Sequence, residues 1–171
     1  MIDLIVAWWD DGTARTTMEN TLAGYNDQMA TVSNRILNDL YFKRSQDYDE
    51  ANLTDTTNIP QQINYWLQRI QTVEAKYALV ENYFEARDYT SAENVLQTIP
   101  NDFRLNDEQL QTLNDFTYFY QYKKNLVAAG SDLSMLDQNQ INELLGFVQN
   151  NENFARGLAQ NALCYYYDIC R

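Results

Sequence analysis

The stretch QQINYWLQRIQTVEAKYALVENYF, residues 61–84, decides the fold class. Its apolar residues Ile63, Leu67, Ile70, Val73, Tyr77, Val80 and Phe84 recur at steps of three and four, which places them on one face of a helix about 25 residues long. Pro60, just before it, suits a helix's first turn, where its missing N–H has no partner to lose. A strand would show alternation instead. No run in the chain alternates apolar and polar over four or more residues with turn signals on both sides.

The same period extends outward in both directions. Upstream, Met18, Leu22, Tyr25, Met29, Val32, Ile36 and Leu40 mark one face of a long helix. Between the two stripes, residues 41–60 lose the period and read as the most mobile loop of the chain. Downstream, a break at Arg87-Asp88-Tyr89 precedes a short helix from Ser91 to Gln97 that ends at Pro100. Asn106 is an N-cap with Gln109 three residues on, and Asp107 and Glu108 suit the positive end of the helix dipole. Leu110, Leu113, Phe116 and Tyr120 form that helix's stripe, and Gly130 is its stop signal. Asp137 with Gln140 opens another helix, whose buried face is Ile141, Leu144, Leu145 and Val148. Asn150 and Asn151 end it, and Phe154, Leu158, Ala162 and Tyr165 mark a last helix. The expected fold is all-α: six or seven helices packed as antiparallel hairpins in a single domain over residues 1–171. A division at residues 41–60 would leave an N-terminal part of about 45 residues, too small to stand alone.

Composition excludes several function classes. The chain has 171 residues, with 12 basic against 24 acidic ones and a net charge of −12. Phosphates would be repelled, so neither nucleic acid nor an anionic membrane is an expected partner. With no histidine, imidazole bases, Ser-His-Asp triads and His-ligated zinc are excluded. Five scattered glycines make no phosphate-cradling loop. No segment approaches the roughly 20 apolar residues of a membrane span. Residues 1–9 are apolar but lack a basic leader and a small-residue cleavage site, so a signal peptide is not expected there. The chain reads either as cytoplasmic or as a piece of something larger.

Chemistry-bearing clusters are few. Asp47, Asp49, Asn52 and Asp55 resemble a calcium loop, but Ala51, Asn52 and Asn58 stand where an EF-hand wants an oxygen ligand, a glycine and a glutamate. They read as a solvated acidic loop. Asp10 and Asp11 are neighbours in a turn and do not converge as acid/base catalysis requires. No catalytic, metal or cofactor residue is expected, and the chain is not expected to be an enzyme. In the aromatic run 116–122, the three-and-four spacing assigns about half to the core and leaves Tyr118 and Tyr122 as surface rings. Tyr165, Tyr166 and Tyr167 cover nearly every side of one helix turn, so at least one, with Tyr166 a candidate, is expected to meet another domain.

Cys164 and Cys170 admit two readings, thiols or a bridge closing a short loop. In continuous helix their Cα atoms would be about 9 Å apart. A bridge needs less than about 7 Å, so it requires the helix to end near Tyr167 or Asp168. A polar surface rich in Asn and Gln leans toward export.

Residues 76–100 carry a second pattern. Leu79, Tyr83, Tyr89, Ala92 and Leu96 fall at the spacing of a tetratricopeptide-like helix-turn-helix, in which large residues pack over the small Ala92. Val80 and Ile99 stand where small residues are expected, and Pro100 arrives early. One such unit inside a bundle is the reading, since a solenoid needs about three. A peptide-binding scaffold would use a groove beside Tyr83 and Tyr89.

Residues 75–81 (AKYALVE), 86–89 (ARDY), Ala92, Val95-Leu96 and Ile99-Pro100 together resemble a helical region of very large cell-surface proteins of Bacteroidota. In those proteins it lies upstream of the sorting domain read by the type IX secretion system. Ala7-Trp8-Trp9-Asp10-Asp11-Gly12 resembles the start of such regions, and residues 155–170, with their tyrosines and two cysteines, resemble the end. The resemblance covers most of the chain outside residues 41–60. It implies a non-catalytic module of a secreted surface protein, with flanking domains of the parent chain or another protein as partners, no cofactor, and an oxidised Cys164–Cys170 pair. The alternative is a cytoplasmic tetratricopeptide-like scaffold with reduced thiols.

Overall fold

A computed structural model of the chain describes residues 12–46 and 58–170. Among these residues are seven α-helices and no strand: α1 (Gly12–Gln46), α2 (Ile59–Leu67), α3 (Val73–Glu85), α4 (Tyr89–Asp102), α5 (Asp107–Ala128), α6 (Gln138–Asn150) and α7 (Phe154–Tyr167). The fold is all-α, as the periodicity requires. The helices group into two compact units, residues 1–101 and 102–171.

In the first unit the core is built where three helices meet. Leu37 and Leu40 of α1, Ile59, Ile63 and Leu67 of α2, and Ala75 and Leu79 of α3 are buried together with Ile70. α2 packs on α1 and on α3. Each of the leucines and isoleucines contributes about 1.5–3 kcal/mol by leaving water. The stripe over residues 63–84 is not one helix, however. The chain breaks at residues 68–72, where the Arg69 and Ile70 amides donate to the Trp66 and Leu67 carbonyls at 3.1 and 3.3 Å. Thr72 then caps α3, its hydroxyl accepting from the Ala75 amide at 3.2 Å. The period survives the break because Ile70, within the corner, is itself buried.

Two other boundaries differ from expectation. α1 continues through residues 41–46, where Arg44 pairs with Glu85 of α3 at 2.9 Å and anchors the last turn. Residues 47–57, which hold the Asp47, Asp49, Asn52 and Asp55 reading and the rest of the expected loop, lie outside the described residues, as does the Asp10-Asp11 pair. α4 runs past Gln97 to Asp102 and takes Pro100 within it, two residues before its end, so the proline ends the helix only a little further on. Pro60 stands in the first turn of α2, as expected. Between α3 and α4, Arg87 adopts a left-handed conformation (φ 60°). The Arg87 and Asp88 amides donate to the Phe84 and Tyr83 carbonyls, both at 2.9 Å, which is the Schellman arrangement of a helix end.

In the second unit, both expected capping boxes are present, Asn106 with Gln109 and Asp137 with Gln140. Gly130 (φ 74°) ends α5, with its amide on Val127 and the Ser131 amide on Leu126, at 3.0 and 2.9 Å. α7 packs against both α5 and α6. Its buried face is Ala155, Ala159, Ala162 and Leu163, so the expected stripe is displaced by one residue, leaving Phe154 and Tyr165 exposed. The small alanines are what let α7 approach closely, and a reading that weights large side chains misses Ala155 and Ala159.

Arg87 sits in a conformation that costs a non-glycine residue about 1 kcal/mol. Replacing it with glycine should raise the thermal midpoint by a few degrees, and Arg87→Val should lower it; calorimetry on the two variants checks both signs.

Candidate functional site

The C-terminal tail is the most constrained piece of surface. Asp168 takes the left-handed conformation (φ 55°) directly after α7. The chain turns back there, the Asp168 and Ile169 amides donating to the Cys164 and Leu163 carbonyls, each at 3.2 Å. This brings the Cα atoms of Cys164 and Cys170 to 4.5 Å, and the two are joined by a disulfide. The helix therefore ends where a bridge requires it to. Two side chains hold the tail down. Gln160 donates to the Ile169 carbonyl at 2.8 Å, and the Tyr167 hydroxyl donates to the Leu133 carbonyl at 3.1 Å while accepting from the Leu136 amide. Tyr165 and Tyr166 remain exposed, edge to face at 4.9 Å.

The other tyrosines expected at a surface divide. Tyr118 is partly exposed, stacked on Phe147 at 5.1 Å, and donates to Glu143 at 2.8 Å. Tyr122 is not a surface ring. It is buried, because its hydroxyl reaches the Gln140 carbonyl at 3.0 Å and so ties α5 to the start of α6. Tyr83 is half-buried against the first unit's core, its hydroxyl accepting from Gln68 at 3.1 Å. Tyr89 is half-buried, edge to face with Phe84 at 5.4 Å.

The first unit holds a cavity of about 590 Å³ lined by Tyr41, Arg44, Ser45, Pro60, Asn82, Glu85 and Ala86. Its polar groups serve one another. Buried Asn82 donates to the Pro60 carbonyl at 3.0 Å and to Asn64, and accepts from Arg44 at 3.2 Å. With Glu85 also on Arg44, the guanidinium is committed within the fold.

Titration behaviour agrees with a structural role for these groups. Burial pushes Tyr77 up to about 12. Burial, aided by the hydrogen bond to Glu143, does the same to Tyr118, and burial raises Tyr122 still further. Asp88 and Asp132 are held below the ordinary carboxylate range by hydrogen bonds from Ser91 and Ser134. None of these shifts moves a base toward neutral pH or activates a nucleophile. Among the described residues no three His, Cys, Asp or Glu converge as a metal site, and no helix is long and apolar enough to cross a membrane.

No protein-family model, curated protein or solved structure matches the chain.

A tyrosine whose folded pKa is raised stabilises the fold fully below its unfolded value near 10, and that contribution is lost as pH rises through about 12. An alkaline titration followed at 295 nm should show a late-ionising class, with stability declining above pH 10. Tyr118→Phe should shrink that class by one and soften the decline.

Proposed function

We propose that the chain is a non-catalytic helical interaction module of a secreted surface protein. The Cys164–Cys170 disulfide is the observation that carries this reading, because such bridges persist in oxidising compartments and are rare in reducing ones. The tail geometry supports a bridge that belongs to the fold: the left-handed Asp168 and the hydrogen bonds of Gln160 and Tyr167 hold the reversed chain alongside the sulfurs. The resemblance of residues 75–100 and 155–170 to the helical regions of type IX-secreted Bacteroidota proteins points the same way. Exposed Tyr165 and Tyr166 beside the bridge are suited to meeting a flanking domain, since exposed aromatic rings give large contact area at low entropic cost. The scaffold alternative has less support, because Tyr83 and Tyr89 are occupied by contacts within the unit.

Fractionating source cells into surface, medium and cytosol, then mapping peptides without reduction, tests the reading. The expected outcome is a linked Cys164–Cys170 peptide in the surface or medium fraction. Reduced thiols in a cytosolic chain would overturn it. In the isolated chain, reduction should cost the second unit about 2 kcal/mol and leave the first unchanged.

A further inference from the structure

α1 carries an apolar stripe that its own unit does not use. Met18, Leu22, Tyr25, Met29 and Val32 are 73, 61, 65, 45 and 53% exposed, whereas Ala30 and Ile36 are partly buried against the unit's own core, Ile36 keeping one side for the seam. The spacing from Met18 to Ile36 is 4-3-4-3-4 without exception. That is the strict two-per-heptad seam of a coiled coil, narrower than the stripe of a helix buried in a globular core. Leu22, Met29 and Ile36 take one seam position, and Met18, Tyr25 and Val32 the other.

We propose that this seam pairs, antiparallel, with the same seam of a second copy of the chain, centred on residue 27. In that register every layer joins the two kinds of seam position: Met18 with the copy's Ile36, Leu22 with Val32, and Tyr25 with Met29. The next layer outward, at both ends, sets Arg15 against the copy's Asp39. Each of these charges is mostly exposed and held only by a neighbour on its own helix, Arg15 by Glu19 and Asp39 by Lys43, both at 2.9 Å. A parallel pair would instead set Arg15 against Arg15 and Asp39 against Asp39. The seam segment itself is neutral: although the chain carries −12, residues 12–36 hold two charges of each sign. The five exposed side chains offer roughly 600 Å² per copy, so a pair buries about 1,200 Å², the lower bound for a specific interface. An interface of that size sits at the weak, transient end of specific ones. The inference rests on the reading of the chain as an interaction module and names one partner for it. The assay below is independent of compartment, so the two can fail separately.

Sedimentation equilibrium of the full chain should show a monomer–dimer equilibrium. Leu22→Asp with Met29→Asp, at exposed positions, should give a monomer of unchanged helix content. Arg15→Asp should weaken the dimer about tenfold, and adding Asp39→Arg should restore it. A chain that stays monomeric to about 100 μM, including one whose Met18 and Met29 resist oxidation because another segment covers them, overturns the proposal. So does a dimer that survives the double seam variant, or a charge swap that fails to restore pairing.

Discussion

The first unit is governed by a mismatch of lengths. α1 has 35 residues and extends about 52 Å, whereas α2, the helix that packs against it, has nine and covers about 14 Å. A helix so short can bury only one end of its neighbour. Leu37 and Leu40 are therefore core residues, while Met18, Leu22, Tyr25, Met29 and Val32, towards the other end of the same helix, are exposed. An isolated helix gains little from propensity alone. This one also carries Gly24 within its exposed half, a residue that weakens helices. The arrangement is most economically completed by a partner that lies along the uncovered half.

The second unit solves the opposite problem, holding short helices in place by their ends. Asn106 and Asp137 close capping boxes, and Asn153 caps α7 by accepting from the Ala155 and Arg156 amides. Asn153 also donates to buried Asp115 of α5, so the start of α7 is fixed to the helix it packs on. At the other end, Asp168 and Tyr167 reverse the chain, and the disulfide closes the reversal. What results is a terminal patch closed by the disulfide, with Tyr165 and Tyr166 exposed beside it.

Local features were the legible part of the sequence. The caps at Asn106 and Asp137 and the Gly130 stop are set by neighbours within a few positions, and the structure places each where the residue types predict; the break expected at residues 87–89 is shorter, α4 starting at Tyr89. Long-range properties were not legible. Periodicity marks residues 63–84 as one apolar face, but nothing local shows that Ile70 sits in a corner between two helices. It marks Met18 as equal to Leu40, although only Leu40 lies in the core that α2 covers. Tyr122 read as a surface ring because its burial comes from Gln140, 18 residues away. Of the buried alanines of α7 the periodicity picked out Ala162 but not Ala155 and Ala159, because small side chains contribute by letting another helix come close. The geometry demanded by a Cys164–Cys170 bridge was derivable, and the left-handed Asp168 supplies it.

The central claim is that the uncovered half of α1 is an interface, and amide hydrogen exchange measured at low and high protein concentration tests it most directly. The account predicts that amides of residues 18–32 gain protection with concentration while those of residues 37–44, already covered by α2, do not change. Protection along α1 that is independent of concentration would contradict it.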